Sequence, residues 1–411
     1  RAVTVVYCSQ ESAGVNGPLR LNFTRPVQAD TIEQNLRFTP SIKGELVWQN
    51  NSLLFWPAQP LETGHSYGLT LQAGARTLDG KAVAPLMDCE INIRPMRILY
   101  EAASVIKSQL LSMDLNGKNS SILADFEGEI LSFDVAKSGN TIVLAVQNKA
   151  GGSDIWLVGR DGSEKKMLIN CGVDHCTDPL WHPDSERIIY TREAAGRENA
   201  AKAQTWLLDT VTRVTSPLFE NSDMQGVSYR FSPDGKKLAF YDDLNGGIRI
   251  VDLQTEATLL LKSNSTAMSW SPDSDSLIYF NQVQEDQQTY VNALLYSLSK
   301  HQSIIMLDEY HDQFEFGEPV WTPDGEWVTM AMRLARTQGS PTKQLALLKI
   351  DGSDVKMITE DQLYTQSVYH WSPDGLYLLF QRYKLGSSSS QPDIMLWDAG
   401  LKRMSVLLKG G

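Results

Sequence analysis

The chain has 411 residues and a net charge of −12, with 42% hydrophobic and 21% charged residues. That is a globular composition, long enough for two domains. The acidic balance, with no lysine or arginine run, argues against a nucleic-acid surface, and no apolar stretch approaches the about 18 residues of a membrane span.

The sequence opens at Arg1 without Met or a signal peptide, which reads as a processed or trimmed chain, with a possible tether outside it. Residues 1–95 alternate polar and apolar over short runs such as Leu19-Arg20-Leu21-Asn22-Phe23, Ser52-Leu53-Leu54-Phe55-Trp56 and Ser66-Tyr67-Gly68-Leu69-Thr70-Leu71. Turn residues separate them at Gly17-Pro18, Asn50-Asn51, Thr63-Gly64 and Asp79-Gly80. Short strands punctuated this way predict a β-sandwich. Its words resemble the bacterial Ig-like domains of surface-layer and secreted proteins. The resemblance rests on LNFTRPV at 21–27, FTP at 38–40, LLFWP at 53–57, LETGHSY at 61–67 and LDGKAV at 78–83. It implies a spacer or interaction module.

The four cysteines fall into two local pairs. Cys8 lies in the first strand-like segment and Cys89 in the last before the repeats, and such strands are often neighbours in a small sandwich. Cys171 and Cys176 enclose Gly172-Val173-Asp174-His175, a loop that a disulfide can close. Two disulfides predict an oxidising, extracytoplasmic setting: periplasmic, cell-surface or secreted. The rival reading, a metal held by Cys171, His175, Cys176 and His182, lacks the usual shorter spacing and second ligand pair. No metal and no cofactor are expected.

From residue 96 to 411 one phrase recurs at spacings of 39 to 51 residues: an aromatic, a polar turn, an apolar strand. The copies are FDVAKSGNTIVLAV from Phe133, WHPDSERIIY from Trp181, FSPDGKKLAF from Phe231, WSPDSDSLIYF from Trp270, WTPDGEWVTMAM from Trp321 and WSPDGLYLLF from Trp371. Pro presets φ and Asp-Gly supplies the tight bend, so each copy is a hairpin. A strand before, the strand after and two more, as in IRIVDL and TLLL, make a four-stranded propeller blade. The pattern resembles the TolB-type propellers, whose blades carry WSPDG, and the resemblance implies architecture more than activity. Arg97-Ile98-Leu99-Tyr100 and Gln109–Asp114 supply strands of a first unit without an inner strand of its own. The fold class is therefore all-β: an Ig-like β-sandwich (1–95) followed by a β-propeller (96–411) of seven blades, alternatively six.

Function is sought where the repeat varies. The recurring tryptophans read as packing residues, and Asp184, Asp234, Asp273, Asp324 and Asp374 as turn residues bonding their own backbone. His182 reads as a polar substitute for Ser. Long polar loops gather on the opposite rim, the usual binding face of a repeat fold. The eleventh residue from each motif aromatic gives Arg192, Asp242, Asn281, Met332 and Arg382, with Arg333 one further. Arg230 and His370 stand just before their motif aromatics, and the loop 308–318 adds Tyr310, His311 and Phe316.

GxSxG, HExxH and GxxxxGK[ST] are all missing from the sequence. Propeller peptidases of the prolyl oligopeptidase type need an attached α/β-hydrolase domain, which argues against a peptidase. Two functions remain. The first is a non-catalytic binding or scaffold protein whose loop rim engages a protein or glycan of the cell envelope or extracellular space. The alternative is a glycan lyase or hydrolase with its active site in the central channel, using His370, His311 and an arginine.

Overall fold

The alternation at Leu19-Arg20-Leu21-Asn22-Phe23 places three apolar side chains on one face, and all three are buried. In the computed structural model of the protein, residues 6–8, 12–103, 107–196, 203–220, 224–285, 288–306, 314–334, 341–387 and 391–410 are described. There this face meets that of a second sheet. One sheet holds Val6–Cys8, Leu19–Phe23, Ser52–Pro57 and Gly44–Gln49, and the other Ser12–Ala13, Leu86–Ile93, Ser66–Leu71 and Leu36–Thr39. Leu21, Leu53, Leu69, Leu71 and Ile91 fill the space between them, joined by Ile32 of the short helix Ala29–Asn35. The first and last strands lie against each other, and Cys89 is disulfide-bonded. Its expected partner Cys8 has its side chain outside the described residues.

Seven blades follow. Blade 1 has three strands, Ile98–Ala103, Ser108–Met113 and Ser121–Phe126, as the missing first motif predicts. Blades 2 to 7 begin at inner strands Ile130–Val135, His175–Trp181, Val227–Phe231, Met268–Trp270, Val320–Trp321 and Tyr364–Trp371, with Phe314–Phe316 ahead of Val320 in blade 6. Blade 7 closes on blade 1 by packing, with Leu396, Leu379 and Leu407 against Ile98 and Met113.

The repeated turn explains why these residues form hairpins. Ser232 Oγ donates to Asp234 Oδ1 (2.5 Å) and accepts from Lys237 N (2.9 Å), while Asp234 Oδ1 accepts from Lys236 N (3.0 Å). Thr322 and Asp324 repeat the pattern with Trp327 and Glu326, and Ser372 and Asp374 with Tyr377 and Leu376. Gly235, Gly325 and Gly375 close these turns at φ near +72°, where a side chain would be strained. The aspartates are turn residues.

The aromatics of the motif bind the preceding blade. Trp270 Nε1 donates to Arg230 O (3.0 Å), Trp321 Nε1 to Ser269 O (3.2 Å) and Trp371 Nε1 to Thr329 Oγ1 (2.8 Å). The first copy needs a correction. Its turn bonds, Ala136 N to Thr141 O and Gly139 N to Ala136 O, match Ser232 N to Lys237 O and Gly235 N to Ser232 O. Val135, not Phe133, therefore stands in the aromatic's register.

Cys171 and Cys176 are bonded, with Cα atoms 6.3 Å apart. The loop they close is held by Cys171 N donating to Asp154 Oδ1 (2.8 Å), and Asn148 Nδ2 donates to both Asp154 and Gly172 O. By loop-closure entropy for so short a loop, replacing both cysteines by serine should cost about 2 kcal/mol. A urea midpoint equal to that of the unmodified protein would contradict this.

Candidate functional site in the propeller channel

The inner strand of each blade ends on a motif position, and the residue before that position points away from the preceding blade. In blades 2, 4 and 7 these residues are Asp134, Arg230 and His370. Glu318, just ahead of the inner strand of blade 6, joins them: Arg230 Nη2 lies 3.9 Å from Glu318 Oε2. Arg230 also donates to Tyr229 O (2.9 Å), which fixes the base of its guanidinium.

Burial pushes the Asp134 carboxyl up from 3.8 to about 6, although hydrogen bonds from Trp181 N and Val135 N and the charge of Arg230 pull the other way. The bond from Trp181 N is 2.7 Å to Oδ2. Burial pushes His370 down, with Glu318 opposing and Arg230 adding to the shift. His370 is reached by water, but protein surrounds it on most sides, as a channel demands. At neutral pH the site therefore holds a carboxylate close to its protonation point and a neutral imidazole. Two groups displaced in this way can exchange protons with a bound molecule.

A raised carboxyl pKa makes ionised Asp134 a burden on the fold. Its favourable contribution is complete below pH 3.8 and is lost as pH rises to about 6. Asp134→Asn keeps an oxygen for Trp181 N and removes the ionisation. The variant should gain about 2–3 kcal/mol over the unmodified protein between pH 4 and pH 7. Parallel pH–stability curves from urea titrations would refute the shift.

The remaining sequence candidates are placed differently. Arg192 donates through Nε and Nη2 to Asp174 Oδ2 (2.9 and 2.8 Å), Arg333 to Glu315, and Arg382 to Asp393 Oδ2 while lying 4.2 Å over the Tyr364 ring. Each rim arginine is thus paired with a carboxylate, and the three form no ring of net positive charge. Asp242 is wholly buried beneath its own hairpin. Asn281 faces Asn292 across a long hairpin, and Phe316 stacks on Phe280 at 5.5 Å. Tyr310 and His311 lie outside the described residues. His182 takes the Ser position of its turn but does more than replace it, since Nε2 reaches Gly235 O of the next blade (2.9 Å). The Cys171–Cys176 bond leaves neither sulfur as a thiolate for a metal, and no group of three His, Cys, Asp or Glu able to hold one occurs among the described residues.

Asp134 and Glu318 were absent from the sequence candidates. Asp134 had a readable signal: phased on Val135, the first copy puts it in the same register as Arg230 and His370.

No family model matches the chain. It is 24% identical over 197 residues to an uncharacterized peptidase, YuxL, of Bacillus subtilis (strain 168); the match covers 39% of this chain and 30% of that protein. The chain thus spans about a third of the curated relative it matches. Among solved structures it is similar to the β-propeller domain of the Trilobed protease from Pyrococcus furiosus (14% identity, 85% of this chain and 94% of that one, TM-score 0.52). It is also similar to puromycin hydrolase (11% identity, 77% and 54%, TM-score 0.53) and to TolB from Acinetobacter baumannii (16% identity, 77% and 79%, TM-score 0.45). The fold is a β-propeller. The expectation of a non-catalytic scaffold is overturned by these findings, as is the argument against a peptidase: the curated relative is named a peptidase, and prolyl endopeptidase and puromycin hydrolase share the propeller.

Proposed function

We propose that the protein is a hydrolytic enzyme acting on peptides, with the propeller channel receiving the substrate. The observation that carries the reading is the Asp134–Arg230–Glu318–His370 cluster, set inside a ring that resembles those of peptidases at TM-scores above 0.5. Arg230 offers a guanidinium to a peptide carboxylate or carbonyl, and Glu318 offers a carboxylate to an amine. Asp134 and His370 sit at the protonation states that proton transfer to and from a substrate needs.

The test is incubation with a panel of unstructured peptides and, separately, of acidic oligosaccharides, followed by mass spectrometry. Peptide cleavage is expected, with Arg230→Ala raising KM and Asp134→Asn moving the acidic limb of the pH profile, which lies near pH 6. Intact peptides beside cleaved oligosaccharides would overturn the peptide reading. They would favour a second one, glycan cleavage in the channel, whose specific support is the same Asp134 and His370 proton-transfer pair beside Arg230.

The proposal includes an Ig-like character for the sandwich, supported by its sequence words, and an extracytoplasmic location, supported by the disulfides.

A further inference from the structure

In blades 2 to 7 an inner strand lies between the channel and the second strand. In blade 1 none does among the described residues, so Ile98–Ala103 has its inner edge unpaired. The neighbouring blade shows the same vacancy. Asp134 of Ile130–Val135 faces blade 3, since it accepts from Trp181 N. Phe133 and Val135 alternate with it and so face blade 1, while Leu131 is the extra residue of a β-bulge between Ile130 and Ser132. Phe133 and Val135 are 36% and 38% exposed, whereas Trp181, Trp270 and Trp321 in the register of Val135 are 5%, 6% and 8% exposed. The difference is the strand that those tryptophans have to pack against. At the loop-rim end the gap is flanked by two carboxylates, Glu101 on the free strand and Glu129 just ahead of Ile130. Burial, with the charge of Glu129 adding to it, holds the Glu101 carboxyl above its ordinary value against a hydrogen bond with Ser108.

We infer that this gap is a docking site for an extended peptide, which completes blade 1 as its missing inner strand. An unpaired strand edge calls for a strand, because its N–H and C=O groups need partners. Direction follows from the other blades: the inner strand runs antiparallel to the second, from the loop rim to the turn rim. The peptide's N-terminal end therefore lies between Glu101 and Glu129 and carries a basic residue or a free amine. Its following residues alternate, with apolar side chains on Phe133 and Val135. This inference goes beyond the hydrolase reading and does not depend on it.

The probe is the fluorescently labelled hexapeptide KVTVTV with a free N-terminus, beside EVTVTV and a KVTVTV analogue N-methylated at alternate residues. Anisotropy should show KVTVTV binding and the N-methylated analogue failing. Phe133→Asp should weaken binding about tenfold or more, while Ile304→Asp, at a somewhat more exposed site on the outer strand of blade 5, should leave it unchanged. Glu101→Gln with Glu129→Gln should remove the preference for KVTVTV over EVTVTV. Hydrogen exchange at the amides of Ile98–Ala103 that face the free edge, and not those bonded to Ser108–Met113, should slow when the peptide is bound. Mass spectrometry of the recovered probe separates loss of binding from cleavage. The inference is overturned if no peptide binds, if Phe133→Asp binds like the unmodified protein, or if the edge-facing amides of Ile98–Ala103, those not bonded to Ser108–Met113, are already protected in the free protein. It is also overturned if sedimentation shows a dimer that buries Phe133, which would make a second copy the occupant.

Discussion

Replacing Trp270 by alanine should lower stability by about 3–5 kcal/mol, the usual cost of truncating a large buried aromatic. The indole belongs to one apolar cluster with Ala239 and Ile248 of blade 4 and Leu277 and Tyr296 of its own blade, so its loss opens a cavity between two blades. It also leaves Arg230 O without the donor at 3.0 Å. Arg230 is a channel residue, so the same substitution should disturb the site from behind. Phe133→Ala is the matched comparison. Phe133 is also an inner-strand aromatic that faces the preceding blade, but it looks into the vacant strand position and should cost less than about 0.5 kcal/mol. Urea midpoints of the two variants check this, and equal losses would mean that blade 1 is closed by a strand.

Most of the architecture could be read from the repeat, because one turn chemistry is used again and again. Ser or Thr, Pro, Asp and Gly each have a fixed physical task in the hairpin, so their spacing marks six units, and only the strands ahead of the first copy pointed to a seventh, leaving seven or six open. The Cys171–Cys176 bond was legible for a similar reason: it is local. The rim arginines were not. Asp174 lies 18 residues before Arg192 and Asp393 lies 11 after Arg382. A register counted from the motif aromatic does not reach across to either carboxylate, although Arg382 and Asp393 are cross-strand partners in one hairpin. The channel cluster was half legible. Arg230 and His370 were found from their place before the aromatic, and Asp134 was lost when Phe133 was taken for a residue whose register belongs to Val135. Glu318 belongs to a connecting segment where the repeat gives no register at all. The absence of a hydrolase motif argues against a peptidase only for the residues read, and the relative named a peptidase matches just 39% of the chain.

Arg249→Leu should cost about 3–4 kcal/mol at pH 7, by leaving a buried carboxylate without its cation. Asp242 is fully shielded from solvent by the hairpin that joins the second and third strands of blade 4. Arg249 Nε and Nη2 reach Asp242 Oδ2 at 2.7 and 2.6 Å. The other donors are Leu244 N, Asn245 N and Asn245 Nδ2, all from the same turn. Burial alone would raise the Asp242 pKa, yet the Asn245 and Arg249 hydrogen bonds bring it below the ordinary 3.8. A carboxyl lowered in this way contributes stability above its unfolded pKa and loses it as pH falls through the folded one. Without Arg249 the carboxyl protonates more readily, so the deficit of the variant should be largest at pH 7 and shrink on acidification through about pH 4. Asp242→Asn in the Arg249→Leu background removes the stranded charge and should recover part of the loss, which a double-mutant cycle at pH 7 measures directly. A deficit that stays constant from pH 7 to pH 4 would show instead that Arg249 matters to this blade through the packing of its stem, and that the three turn donors suffice for Asp242.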